Sequence, residues 1–367
     1  MKKKKRLKRK IKLLIVLIFL VIIGILSVIL LRPVICKNMI RSKGYSNEAA
    51  ELFFKSDMTK EITDKEYSKT VDEMIINNKY KSEYLDKYYE IKYVDDKLFV
   101  DNINSLIEKE YSTSLINTIY TKYSSDMINY LMENKLYDID KYIEVEIFKP
   151  DLISRYVKIN TKEYKDKVLY VNMHRDEDVY KNPVIVDTYS TSMLVNKHYS
   201  LTSDYKPNLV RLNNCSTDDH YLSKEAKEAW DKMCKAATKD GYQLDVTSSY
   251  RSYSDQTATE KYYLKLYGQS YVNKYVAKPG FSEHQTGLAL DVKSKNGSPF
   301  KTTKEYTWMV KNSYKYGFIL RFPEGKEAFT GYNPESWHFR FVGEDIAKYI
   351  HENDITYDEY FALFIDK

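Results

Sequence analysis

The chain has 367 residues, 43% of them hydrophobic, enough for more than one core and too many for wholesale disorder. Nine Lys and Arg crowd into the first twelve residues and account for the formal charge of +6. The remainder holds 49 basic against 52 acidic side chains, which removes any global argument for nucleic-acid binding.

Residues 1–12 form a basic segment, followed by Leu13 to Leu31, an apolar run of nineteen residues broken only by Gly24 and Ser27. At about 1.5 Å per residue such a helix spans close to the ~30 Å hydrocarbon core of a bilayer. The basic flank predicts a cytoplasmic N-terminus, with everything after Arg32 outside the membrane. RPVIC offers no small-x-small cleavage site, so 13–31 is expected to be an uncleaved transmembrane anchor rather than a signal peptide. Cys36 follows the bulky Val34 and Ile35 and reads as unmodified.

Residues 32–165 read as a helical stalk with a weak duplication. NKYKSEYLDKYYEIKYVDD at Asn78 is echoed by NKLYDIDKYIEVEIFKPD at Asn134, and GYSNEAAELFF at Gly44 by EYSTSLINTIY at Glu110. The texture changes at about residue 166, where VLYVNM, NPVIVDTY and SMLVNK suggest a β-rich lead-in to a domain running to residue 367. SKEAKEAWDKMCKAATKDG then reads as a helix ending near Gly241, YQLDVTSSYRS as a strand carrying Arg251 at its end, and DQTATEKYYLKLYG as a helix. A strand over Leu288–Val292, a helix in TTKEYTWMVKNSYKYG and a strand in SWHFRFV complete an α+β domain with an antiparallel sheet. Cys215 and Cys234 fit two arrangements, a bridge between a loop and the helix after it, or two separate buried thiols.

The polar residues at the strand ends carry the chemistry. His284, Asp291 and His338 are two imidazoles and a carboxylate, which can hold one Zn²⁺ and leave a fourth position open for water. His284 and Asp291 are seven positions apart, opposite faces on an unbroken strand, and Gly287 between them permits a turn that lets both converge. Glu335, three residues before His338, lies where a general base for that water belongs. The combination predicts metal-assisted hydrolysis. His174, His198, His220 and His351 have no such surroundings and read as surface or structural.

SxHxxGxAxD from Ser282 to Asp291, ExxH from Glu335 to His338, and SxYRS from Ser248 to Ser252 resemble the VanY-type zinc D-alanyl-D-alanine carboxypeptidases. The resemblance covers roughly Val186 to the C-terminus and leaves the helical region untouched. It implies an antiparallel-sheet zinc peptidase fold, Zn²⁺ on His284, Asp291 and His338, Glu335 as catalytic base, and Arg251 on the terminal carboxylate of the substrate. Ser252, Gln256 and Ser282 are candidate substrate contacts; Arg340 either faces the site or forms an ion pair at the strand edge. With the anchor, this predicts an extracytoplasmic, membrane-held enzyme that trims the C-terminal D-alanine from peptidoglycan stem peptides. The alternatives are an L,D-carboxypeptidase or D,D-dipeptidase on wall peptides, or a non-catalytic wall-binding module of the same fold.

Overall fold

The computed structural model describes residues 2–366 except Lys97, Ser124, Lys135, Tyr137, Lys162 and Asn296. The side chains of residues 2–8 lie outside that description, and so do Lys135 and Tyr137 of the second copy of the sequence duplication. The chain divides into two compact units, Met1–Asp140 and Lys141–Lys367.

The first unit opens on α1 (Lys2–Ser42). Every side chain from Leu13 to Leu31 is exposed along it. Among the described residues it is the one helix long and apolar enough to cross a membrane. It continues past the apolar run, through Pro33, until Ile40 is buried. Short helices follow: α2 (Asn47–Lys55), α3 (Thr59–Asp64), α4 (Lys69–Ile76), α5 (Leu85–Glu90), α6 (Phe99–Glu108), α7 (Thr113–Lys122), α8 (Ser125–Glu133) and, at the unit boundary, α9 (Ile139–Ile143).

Three of their starts follow one rule. Ser46, Ser68 and Ser112, each preceded by Tyr, accept hydrogen bonds from the amides of Ala49, Val71 and Leu115 and so cap α2, α4 and α7. A second recurrence lies in the hydrogen bonding. The Tyr88 hydroxyl accepts from the Lys81 amide and donates to Asn104, whose Nδ2 donates to the Lys79 carbonyl. All four positions recur 68 residues later, within the second unit: Tyr156 accepts from the Lys149 amide and donates to Asn172, which donates to the Ile147 carbonyl.

The second unit contains α10 (Ile153–Tyr156), α11 (Tyr164–Asn172), β1 (Val184–Ile185), β2 (Tyr199–Ser200), β3 (Leu209–Arg211), β4 (Tyr221–Ser223), α12 (Lys224–Lys239), β5 (Leu244–Ser248), α13 (Tyr253–Tyr275), β6 (Ala289–Ser294), α14 (Lys304–Asn312), β7 (Phe318–Phe322), α15 (Glu327–Thr330), β8 (Glu335–Phe341), α16 (Glu344–Asn353) and α17 (Tyr357–Tyr360). The β-rich reading of VLYVNM is corrected here. Those residues lie in and directly after α11, because Val168, Leu169 and Val171 recur at helical spacing and bury one face. SMLVNK forms no strand, and β1 and β2 pair over only two residues each.

The main sheet is antiparallel throughout, in the order β5-β6-β8-β7. Leu290 lies opposite Phe339, and Phe339 opposite Leu320. With Val292, Phe318 and Phe341 they pack in one core cluster with Trp230 and Met233 of α12. Full burial of each such side chain is worth roughly 1.5–3 kcal/mol. Because side chains alternate along a strand, the neighbouring residues Asp291, His338, Arg340 and Arg321 point to the opposite face. One face of the sheet thereby packs on the α12 core, while the other carries the chemistry beside a second apolar cluster that includes Ile319, Val342 and Ala347. Cys215 and Cys234 are bridged, tying α12 to the loop whose Cys215 carbonyl accepts the Val246 amide of β5.

Candidate active site

Sheet register brings the donor groups together. Asp291 on β6 lies directly opposite His338 on β8, and on its other side opposite Ser248, the last residue of β5. His284 arrives from the 3₁₀ turn Glu283–Thr286, which ends at Gly287 with φ of 72°. A side chain at Gly287 would be strained by that backbone and would also meet Pro207, Leu209 and the Ser223 amide at 3.1–3.3 Å. The turn lets His284 and Asp291 converge in spite of their odd spacing.

One ligand atom from each of His284, Asp291 and His338 falls within 4.8 Å of the others. His284 Nε2 lies 3.4 Å from Asp291 Oδ2, and His338 Nδ1 lies 3.2 Å from Asp291 Oδ1. The ring nitrogens on the far sides are both engaged, His284 Nδ1 with the Ser249 carbonyl at 2.7 Å and His338 Nε2 with Glu283 Oε2 at 3.1 Å. Such partners fix which nitrogen of each ring faces inward. Asp291 Oδ1 is buried and makes no hydrogen bond among the described residues. A buried carboxylate oxygen without a hydrogen bond, between two inward-facing imidazole nitrogens, fits a divalent cation with N and O ligands such as zinc.

The electrostatics agree. Burial works against the charge on Asp291, yet His284 and His338 hold its carboxyl well below the usual carboxylate range. For His338, burial favours the neutral ring, but the Asp291 and Glu283 carboxylates outweigh it and hold the imidazole up at about 10. His284 is pushed down by burial, against the pull of Asp291. Glu335 begins β8, is 7% exposed, and places Oε2 3.7 Å from His338 Nδ1. Burial pushes its carboxyl up to about 8, against the pull of His338 and with the push of Asp291 and Glu283.

These groups line a cavity of about 150 Å³ together with Arg251, Gln256 and Ser282. The Arg251 guanidinium donates to Gln256 Oε1 at 2.7 Å and to Ser248 Oγ at 2.9 Å. Gln256 spends its amide group on the Ala277 carbonyl. The Ser252 hydroxyl is engaged in a capping box with Asp255 at the start of α13. Ser282 is buried at the cavity wall. Arg340 is fully buried, donating to Glu283 and to the Thr191 and Met193 carbonyls. Sequence reasoning passed over Glu283, although it adjoins His284, and it passed over Tyr263, Tyr271, Tyr275 and Trp337, which also line the cavity.

The family profile VanY, described as D-alanyl-D-alanine carboxypeptidase, matches residues 219–344. A Bacillus subtilis relative, YodJ, is 41% identical over 179 residues, 46% of this chain and 66% of its own length. The bifunctional D-Ala-D-Ala dipeptidase and D-Ala-D-Ala carboxypeptidase VanXYC of Enterococcus gallinarum is 34% identical over 180 residues, 47% of this chain and 93% of that protein. The chain belongs to the VanY family. A solved LdcB LD-carboxypeptidase is 38% identical, with a TM-score of 0.46 over 50% of this chain and 92% of that one. The VanY match takes in Arg251, Ser282, His284, Asp291, Glu335 and His338, and excludes the whole of the first unit.

Proposed function

We propose that this VanY-family chain is a membrane-anchored zinc metallopeptidase that removes the C-terminal D-alanine from peptidoglycan stem peptides. The observation that carries the reading is the placement of Glu335 and Arg251 in one cavity with the His284, Asp291 and His338 donors. An exposed apolar helix fits the anchor, and the Cys215–Cys234 bridge fits an oxidising compartment outside the membrane. Residues 32–165, which follow the anchor and precede the catalytic domain in the chain, are then the expected helical stalk.

His284 Nε2, His338 Nδ1 and Asp291 would hold Zn²⁺. When bound there, zinc supplies Lewis acidity, polarising the scissile carbonyl and lowering the pKa of water toward ~7. Arg251 takes the terminal carboxylate, for which its planar fork of donors is well shaped, while Gln256 and Ser248 keep the fork in place. Glu335, protonated in the metal-free site by its burial, would be ionised beside a bound dication; as the carboxylate it accepts the proton of the attacking water and returns it to the departing amine. Tyr271, Tyr275 and Trp337 line the same cavity. Retention of Glu335 beside a complete donor set favours an enzyme over a wall-binding module.

The test uses the full chain in detergent micelles with synthetic penta-, tetra- and dipeptide substrates, followed by mass spectrometry. Loss of a single D-alanine from the pentapeptide, abolished by a chelator and by Glu335→Ala, is expected. Cleavage confined to the tetrapeptide moves the assignment to an L,D-carboxypeptidase, and cleavage confined to D-Ala-D-Ala moves it to a dipeptidase. No cleavage of any of the three with zinc present overturns the reading.

A further inference from the structure

Behind His338 lies a chain of buried charges for which peptide hydrolysis itself has no direct use. Glu283 is buried, with Oε2 accepting from His338 Nε2 at 3.1 Å and Oε1 accepting from Arg321 Nε at 2.7 Å and Arg340 Nη1 at 3.3 Å. Arg321, buried on β7, also donates through Nη1 to Asp358 of α17 at 2.6 Å. Asp358 in turn accepts from Arg175 Nη2 at 2.9 Å and from Asn196 Nδ2 at 2.8 Å. Arg175, Asn196 and Asp358 all lie outside the segment that matches the VanY family.

We propose that Glu283 is a positioning residue that fixes the His338 ring with Nδ1 toward the metal, while the Arg321 and Arg340 guanidiniums hold its other oxygen. An imidazole on a strand can rotate about its χ angles and can carry its proton on either nitrogen. The acceptor at Nε2 removes both freedoms, leaving the Nδ1 lone pair aimed at the Asp291 side of the cavity. A lone buried carboxylate would be costly, and two guanidiniums on its other oxygen compensate for the lost water. The strength of the arrangement is directional. Arg321 donates along one edge of Glu283 to a single oxygen and leaves the other free for His338. Glu283 touches neither metal nor substrate; it acts through His338.

This inference rests on the zinc peptidase reading, so its test separates the two. Full-length wild type, E283Q, E283D and D358N are compared in micelles for zinc affinity by competition with a chromogenic chelator. The visible spectrum of the Co²⁺-loaded forms and kinetics on the pentapeptide are measured on the same samples. E283Q is expected to bind zinc about 10–100-fold more weakly, as loss of an outer-shell partner does elsewhere. Its Co²⁺ spectrum is expected to shift, and kcat at saturating zinc to fall while KM for peptide stays within about twofold. E283D keeps the charge but withdraws it by one methylene and is expected to fall between E283Q and wild type; it carries the test should E283Q fail to fold. D358N weakens a buried ion pair one step removed, leaving Glu283 with both guanidiniums, and is expected to lower the melting temperature while retaining zinc affinity within about threefold. Wild-type zinc affinity and an unchanged spectrum in the folded Glu283 variants overturn the inference. So does a loss in D358N as large as in E283Q, because general loosening would then explain both. A wild-type chain that binds no zinc overturns the metal reading itself, and this inference with it.

Discussion

Gln256 holds Arg251 from behind: its Oε1 accepts the Arg251 Nη1 proton at 2.7 Å while its Nε2 is tied to the Ala277 carbonyl at 2.7 Å. Both polar ends of this buried side chain are engaged, which orients the guanidinium toward the cavity that both residues line. Arg251→Ala removes charge-assisted hydrogen bonds worth about 1.5–3 kcal/mol, and is expected to raise KM for the pentapeptide about 10–100-fold. Gln256→Ala leaves the charge but frees its direction, and about a fivefold rise in KM is expected. Steady-state kinetics decide the matter. Equal KM values in wild type and Arg251→Ala would remove Arg251 from carboxylate recognition.

Zinc uptake is expected to release protons. In the metal-free site His338 is held up at about 10 and Glu335 at about 8, so both carry a proton at pH 7. A ligand imidazole must be neutral, and a nearby dication drives Glu335 to its ionised form. Between one and two protons should therefore leave per zinc bound, and apparent affinity should rise with pH until the metal-free groups have themselves ionised. Calorimetry in buffers of different ionisation enthalpy gives the count. Glu335→Gln should lower it by up to about one, and a count near zero in wild type contradicts this account.

How much of this was legible in the sequence follows from which interactions are local. Asp291, His338 and Glu335 were readable because each sits on or beside an apolar strand whose alternation sets its direction, and His284 because Gly287 marks the turn. Strand register supplied the rest of the convergence: Asp291 opposite His338 is a pairing of residues 47 positions apart, which no periodicity reveals. Glu283 was hidden for the same reason, since its partners Arg321 and Arg340 come from two other strands. Ser252 shows the reverse case, a polar residue beside the site whose hydroxyl serves the start of α13. In VLYVNM, β-branched composition suggested a strand, but packing of one helical face outweighed intrinsic propensity.

The Cys215–Cys234 bridge closes a loop with a sequence separation of 19 residues. Chain-entropy arguments put such a cross-link at about 3 kcal/mol, acting mainly on the unfolded state. Reduction, or Cys215→Ser with Cys234→Ser, is expected to lower the melting temperature by roughly 6–12 °C for a domain of this size. Activity at 25 °C should survive, because neither cysteine lines the metal cavity. Calorimetry with and without reductant checks this, and an unchanged transition would show that the bridge adds no stability.

The tyrosine clasps allow a comparison within one chain. Tyr88 and Tyr156 have the same partners 68 positions apart, but Asn172 is buried whereas Asn104 is only partly so. Removing a hydroxyl that both accepts and donates leaves two groups unpaired, and the penalty grows with their burial, up to about 1–3 kcal/mol for each group that water cannot reach. Tyr156→Phe should therefore destabilise its unit more than Tyr88→Phe destabilises the other. Hydrogen exchange localises the effect to the amides that lose an acceptor, Lys149 in the first variant and Lys81 in the second. Equal losses of protection at the two amides would mean that burial of the asparagine does not set the cost. Protection unchanged at both would mean that the clasps contribute nothing to either unit.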